Sequence, residues 1–337
     1  MATIIMKILV LRFSSIGDLV LISPVLRCLK LQLGAEVHVL TKKRFASVLA
    51  ANPHIDGLHT FEQEPGEVWP QLKTEHFDHI IDLHKNLRSW RVRLALRLPG
   101  RSFRKLNLEK WLLVNTGINC LPDIHIVERY MEAAAPLGVR YDGAGLEHFI
   151  APEDEVDIAT AFGVKEYLAV AIGAAHATKR MPESLIAEVC GDFSWPILLL
   201  GGPEDGEAGE RIASKAGVHV QNTCGKLRLQ QSASLVRQAR VVLSPDTGMM
   251  HLAAAFRRPL VSVWGSTVPA FGMWPLYPAE DKTLHILLEV TNLSCRPCSK
   301  IGFEQCPKGH FKCMNGISAQ TVKSALKRLW EQAPDVD

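Results

Sequence analysis

The stretch that most restricts the fold is Val241 to Ala255, which reads VVLSPDTGMMHLAAA. Val241, Val242 and Leu243 form an apolar, β-branched run of the kind that makes a buried strand. Ser244, Pro245 and Asp246 break it, and Thr247 and Gly248 open a helix of small residues that reaches Ala255. Arg257-Arg258-Pro259 then leads into a second apolar strand, Leu260 to Trp264, which ends in Gly265-Ser266-Thr267. A strand, a tight turn and a helix N-terminus together make an anion site, because the first helical N–H groups lack partners and the dipole is positive there. The plainer reading is that Asp246 or Thr247 is an N-cap and nothing more. His251 falls one helical turn after Thr247, on the same face.

The same unit recurs at the start of the chain. Lys7 to Arg12 reads as a strand, Phe13 to Asp18 as a turn, and Leu19 to Leu31 as a helix with Pro24 early in it. No Gly-x-Gly-x-x-Gly is present, which counts against a dinucleotide-binding dehydrogenase. Asp18 has two readings: an N-cap, or a general base at the C-terminal edge of a sheet. Further strands are expected at Val37–Leu40, after the turn Asn52–Leu58, and at Asp78–Leu83. Short helices are expected over 44–51 and 65–73. Strands and helices alternating in this way predict parallel, doubly wound α/β sheets. The helix His125–Gly138 stops at Pro136 and Gly138. Arg140 to Pro152, with Gly143 and Gly145, reads as a linker. A helix over Glu153–Phe162, a strand over Tyr167–Ile172 and a strand over Ile197–Leu200 begin a second sheet. At 337 residues the chain has room for two such domains. No apolar run approaches about 18 residues, and the N-terminus lacks a basic n-region and a cleavage site. A cytoplasmic location with reduced cysteines is therefore expected.

Charge is unevenly spread. Between Lys85 and Lys110 lie nine Lys/Arg and one acidic residue, Glu109. Such a run is either a solvated helix face or a binding surface for anions, for which arginine is well suited. Leu87, Trp90, Leu94 and Leu98 at helical spacing are expected to form its buried side. Nucleic acid is one anionic partner to weigh, but the run follows a sheet strand and carries no motif that reads DNA or RNA.

Three later segments carry chemistry. Gly173-Ala-Ala-His-Ala-Thr-Lys-Arg-Met-Pro-Glu183 follows a strand with small residues and two cations, Lys179 and Arg180. Ile197 to Asp205 is a strand that ends in a glycine turn. Cys295, Cys298, Cys306 and Cys313 place half of the eight cysteines within 19 residues, with His310 among them. That spacing suits a structural zinc site, and buried, unligated thiols are the alternative. Ser318 to Glu331 closes the chain as an amphipathic helix with Val322, Leu326 and Leu329 on one face.

These segments together resemble the heptosyltransferase family, glycosyltransferase family 9. The matching features are Asp246-Thr247-Gly248-x-x-His251 with its alanine-rich helix and Gly265-Ser266-Thr267, and the opening Arg12-Phe-Ser-Ser-Ile-Gly-Asp18. Lys179-Arg-Met-Pro-Glu183 also matches, with Met181 where the family usually has Trp. The resemblance implies a GT-B architecture of two Rossmann-like domains facing across a cleft. Residues 1–150 would bind the acceptor. Residues 151–316, with the cysteine insertion at 295–313, would bind the nucleotide sugar. Residues 317–337 would form a helix and tail packing back on the first domain. It implies an inverting enzyme that needs no metal or other cofactor for catalysis and moves a heptose from ADP-heptose to a lipid-linked, acidic or phosphorylated lipopolysaccharide acceptor. Another sugar or acceptor is the nearest alternative. Such an enzyme would work in the cytoplasm, peripheral on the inner face of the membrane. By the same resemblance Asp18 is the base and Lys179 the catalytic cation. Thr178, Lys179, Asp205, Leu227, Asp246, Thr247, Gly248 and His251 hold the donor, with Asp205 on the ribose and Leu227 as a wall of the adenine pocket. Ser15, Lys85, Arg88 and Arg91 meet the acceptor. The sole Asp-x-Asp, Asp335-Val-Asp337, sits at the tail and makes a poor metal site.

Overall fold

The computed structural model describes residues 5–333, so Asp335 and Asp337 lie outside the described residues. Two compact units appear, divided at Ala151/Pro152, with Asn107–Asp123 grouped with the second. The first unit holds strands β1 (Lys7–Leu11), β2 (Glu36–Lys42), β3 (Gly57–Phe61), β4 (His79–Asp82) and β5 (Gly100–Ser102), in the order β3-β2-β1-β4-β5. All its pairings are parallel, with Ile8 opposite both Val37 and His79. The second holds β6 (Leu168–Ala171), β7 (Ile197–Leu200), β8 (Val220–Asn222), β9 (Val241–Pro245), β10 (Leu260–Trp264) and β11 (His285–Glu289), in the order β11-β10-β9-β6-β7-β8. It too is parallel throughout. The central strands are fully buried: β6, β7, β9 and β10 have no exposed residue. Burial on both faces explains why they read as unbroken apolar runs. No helix among the described residues is long and apolar enough to cross a membrane.

Both sheets reverse their strand order once, between β1 and β4 in the first and between β6 and β9 in the second. In open α/β sheets ligands bind outside the carboxyl ends of the strands at such switch points. The turn after β1 carries Asp18 and the turn after β4 carries Lys85. The loop after β6 carries Lys179, and the turn after β9 carries Asp246.

Several expectations are corrected. The helix read as Leu19–Leu31 is two, Ile16–Leu21 and Ser23–Leu33, and Pro24 sits in the first turn of the second. Proline is tolerated there because the first-turn N–H has no helical partner anyway. The helix expected from Glu153 is only Ile158–Phe162. β5, β8 and β11 and the helix Asn107–Thr116 are additional to the expected elements; β5 and β8, three residues each, are too short to show a pattern, whereas β11 carries the apolar run Ile286-Leu-Leu288. The final helix, Ala319–Gln332, places Val322, Leu326 and Leu329 in the second unit's core with Ile186, Val241 and Val261. That face is legible in the sequence, but periodicity does not say which sheet it meets. Leu87, Trp90 and Leu94 are more than half exposed, whereas the helix Leu87–Leu96 turns Ser89 and Val92 inward.

Candidate active site

In the first unit the chemistry gathers where β1 gives way to the helix Ile16–Leu21. Asp18 is the third residue of that helix and not its cap. Ser15 holds the cap position, and its N–H and hydroxyl both donate to Asp18 Oδ2, at 3.0 and 2.9 Å. The other carboxylate oxygen lies 2.5 Å from the Arg12 guanidinium. Arg12, 8% exposed, donates also to the carbonyls of Ser14 and Leu83 and to the Tyr130 hydroxyl. Burial works to raise the Asp18 pKa, but the Arg12 charge and the two Ser15 hydrogen bonds outweigh it and hold the carboxyl below its ordinary value. Asp18 is thus ionised and aimed by a fixed cation, with a fifth of its side chain open to solvent.

The turn after β4 is built on Asp82. Its Oδ1 accepts from the amides of His84 and Lys85, and its Oδ2 from the Ser89 hydroxyl. This fixes Lys85 in a left-handed backbone conformation, φ 49°, and sets Asn86 as the cap of the helix Leu87–Leu96. Lys85 does not reach out freely: its ammonium donates to the carbonyl of Phe103 at 2.7 Å. Arg88 pairs with Glu64 at 3.1 Å, and Arg91 is exposed. Together with Pro65, Gly66 and Trp69 these residues line a depression of about 170 Å³. His84 packs against Phe13 with ring centres 4.6 Å apart and the planes tilted by 45°. Burial, then Arg12 and Lys105, pushes its pKa down to about 3, so it is neutral at physiological pH. The sequence reading gives no role to Arg12, His84 or Lys105, although Arg12 opens the Arg12–Asp18 motif and Lys105 belongs to the basic run.

In the second unit Lys179 and Asp246 are brought together. The Lys179 ammonium is 2.6 Å from Asp246 Oδ2, and the Thr267 hydroxyl donates to the same oxygen at 2.7 Å. Thr247 caps the helix Gly248–Ala255 by position but makes no side-chain cap bond, so its hydroxyl does not take up the first amides of this helix. That hydroxyl lies 3.2 Å from the one of Ser244. Thr178 is buried: its Oγ1 accepts from the Ser266 hydroxyl and from the Phe303 amide, so it braces the loop. Gly265 is required beside it, since a Cβ there would come within 2.8 Å of the Thr178 carbonyl oxygen. His251 is buried, and Met181 packs in the second unit's core. Asp205 accepts from the Gly202 amide at 2.9 Å and lies 3.6 Å from Arg180. Its carboxylate lies directly against Gly173, where a Cβ would meet Oδ2 at 2.1 Å. Leu227 is half-buried two residues after Gly225.

The four cysteines are free thiols, and Cys295 Sγ lies 3.8 Å from His310 Nε2. Among the described residues the one group with three donor atoms within 4.8 Å of one another is His38, His59 and Glu75, well away in sequence. His38 contacts His59 and Glu36, both at 2.9 Å, and Lys7 pairs with Glu75, while the buried His59 Nδ1 has no hydrogen-bond partner among the described residues. Cys298 donates to the Cys295 carbonyl, and burial together with the neighbouring cysteines pushes its thiol up to about 11. What organises this insertion is Arg296. It donates to the carbonyls of Gly265, Val290 and Thr267 and pairs with Glu289 at 2.6 Å, which clamps the loop after β10.

Two parallel doubly wound sheets, each with carboxylates and cations at its switch point, have the GT-B plan. The match to glycosyltransferase family 9 (heptosyltransferase), over residues 66–303, places the chain in that family, to which it belongs. Lipopolysaccharide heptosyltransferase 2 of Escherichia coli strain K12 is 33% identical over 100 residues, which is 28% of this chain and 29% of that protein. The aligned part thus spans under a third of that relative. Among solved structures, a family 9 glycosyltransferase from Veillonella parvula DSM 2008 superposes with a TM-score of 0.80 at 22% identity, covering 97% of this chain and 98% of the other. The ADP-heptose lipopolysaccharide heptosyltransferase II of E. coli gives 0.74 at 21% identity, covering 97% and 99%. These two show that the fold is shared over essentially its whole length.

Proposed function

We propose that this chain transfers a heptose, with inversion, from ADP-heptose to an acidic or phosphorylated, lipid-linked inner-core acceptor of lipopolysaccharide. The observation that carries the reading is Lys179 held against Asp246 next to the uncapped first amides of the helix Gly248–Ala255. A cation and a helix N-terminus at a sheet's switch point suit a diphosphate whose negative charge grows as it leaves. The acceptor hydroxyl oxygen would attack the anomeric carbon as the bond from that carbon to the diphosphate oxygen breaks. The hydroxyl proton passes to Asp18, and ADP departs carrying the bonding electron pair. A single displacement inverts the anomeric centre. The diphosphate charge is met by Lys179 and backbone amides, so the step as proposed takes no metal. Arg88 and Arg91 would bind acceptor phosphates or carboxylates. Asp205 and Leu227 would address ribose and adenine. The enzyme would act at the cytoplasmic face of the inner membrane, where a lipid-linked acceptor is displayed.

The test is transfer from ADP-heptose to a purified inner-core acceptor, with and without chelator, together with calorimetry of ADP, UDP and GDP. Transfer that persists in chelator and ADP binding at least about tenfold tighter than the others, a difference of about 1.4 kcal/mol, are expected. Equal binding of the three nucleotides would remove the adenine assignment. Absence of transfer from ADP-heptose alongside transfer from another nucleotide sugar would move the donor within the family.

A further inference from the structure

The helix Leu87–Leu96 is amphipathic in the wrong sense for a helix that serves only its own core. Its inward side is Ser89 and Val92, with Leu96 packed against the first unit's core. Leu87, Trp90 and Leu94, at positions i, i+3 and i+7, share the opposite side and are 63%, 53% and 59% exposed. Arg91 lies within that stripe, and Arg97, Arg101 and Arg104, which follow, are exposed too. No acidic residue occurs between Asp82 and Glu109. Single exposed leucines are ordinary; a contiguous apolar stripe with a tryptophan, set among cations, marks a contact surface.

We infer that this face docks the protein onto an anionic lipid bilayer. Three side chains on a ten-residue helix fall far short of the roughly 800 Å² per partner that a stable protein–protein interface buries. They suffice for shallow insertion, in which tryptophan sits at the headgroup level and the leucines reach the acyl boundary. The arginines supply the complementary charge, which acts within a Debye length of an anionic surface. The purpose of the contact rests on the proposed lipid-linked acceptor, but its existence does not, and the test keeps the two apart.

Full-length protein is sedimented with acceptor-free vesicles, either of phosphatidylcholine alone or of phosphatidylcholine mixed with phosphatidylglycerol. Binding to the mixed vesicles that weakens with added salt, and little binding to the neutral ones, is expected. Leu87→Ser with Trp90→Ser and Leu94→Ser should lower partition by about tenfold or more, since these side chains are exposed and no core is opened. Arg97→Gln with Arg101→Gln, which keeps the stripe intact, should lower it also and flatten the salt dependence. Sugar transfer to a soluble, delipidated acceptor, assayed in parallel, should be unchanged in the serine variant, so a fault in the transfer reading shows only there. Wild-type protein that ignores the mixed vesicles, or a serine variant that partitions like wild type, overturns the inference. So does a wild-type dimer that the serine variant dissociates without change in vesicle binding.

Discussion

Replacing Asp18 by asparagine separates the base from the brace. The new amide would keep a side-chain oxygen that accepts from Ser15 or Arg12, and it would lose the charge opposite Arg12. Breaking a buried ion pair by removing one partner typically costs about 3–5 kcal/mol. Here the loss is smaller, because Arg12 keeps the carbonyls of Ser14 and Leu83 and the Tyr130 hydroxyl, and Asp18 is partly open to solvent. About 1–3 kcal/mol is the expected cost. A domain with about 5–15 kcal/mol of stability stays folded through that. Loss of a general base lowers the rate by about 10²–10⁴-fold. A folded Asp18→Asn protein with ADP affinity intact and transfer down at least about 100-fold is therefore the prediction, and unfolding cannot account for it.

The pH dependence checks the same assignment by a second route. The Asp18 pKa is depressed in the folded protein, so its stabilising contribution is present above the unfolded-state value of about 4. It is lost as pH falls through the lower folded value. The stability gap between wild type and Asp18→Asn should thus be constant at neutral pH and close in acid. Arg12→Gln removes the charge that offsets burial, so the Asp18 pKa rises and the acid limb of kcat/KM moves to higher pH. Transfer by Asp18→Asn close to the wild-type rate, or an unmoved acid limb in Arg12→Gln, would refute Asp18 as the base and leave it as part of the turn.

Three further outcomes follow from the geometry. Lys179→Ala should lower kcat by about 10²–10³-fold, the scale of losing one transition-state charge stabiliser, and single-turnover kinetics would show near-normal rates if the lysine only braces Asp246. Arg88→Ala with Arg91→Ala should raise the acceptor KM and leave calorimetric ADP affinity alone; an equal fall in both would place these arginines in the structure or at the donor. Arg296→Ala leaves Glu289 unpaired and opens the loop after β10, for a loss of about 3–5 kcal/mol, read as a lower urea midpoint, and a midpoint unchanged would deny the clamp.

Much of this was legible because it is local. The central strands announced themselves as apolar runs, and the helix Gly248–Ala255 began within a residue of its expected start. Asp246 fell directly after a strand, and Asp18 and Lys179 fell in the segments that follow β1 and β6. What was not legible depends on contacts distant in sequence. Arg12 pairs locally with Asp18, but what holds it there is Leu83 and Tyr130, which lie 71 and 118 residues away. Arg296 was hidden inside a cysteine pattern that drew attention to the sulfurs. The stripe at Leu87, Trp90 and Leu94 has a helix's period, and period alone cannot say which side of a helix the core is on.

The aspartates show why a cap and a catalytic group look alike in sequence. Asp18, Asp82, Asp205 and Asp246 each stand at or just beyond the carboxyl end of a strand, and each accepts from loop donors: Ser15, the His84 and Lys85 amides, the Gly202 amide, and Thr267. A short carboxylate is the natural residue there, because the chain turns sharply and leaves amides that need an acceptor. What differs is the remaining oxygen. In Asp82 it takes the Ser89 hydroxyl and the side chain is shut away, 2% exposed. In Asp246 both Lys179 and Thr267 fall on one oxygen. In Asp18 a guanidinium takes one oxygen and Ser15 the other, yet the carboxylate keeps an open edge. An ionised carboxylate that is fully aimed but not fully enclosed can still receive a proton, and of the four Asp18 combines that opening with a dedicated cation, the arginine that follows β1. The turn thus supplies the aspartate, and the arginine after β1 is what suits that aspartate to a second task.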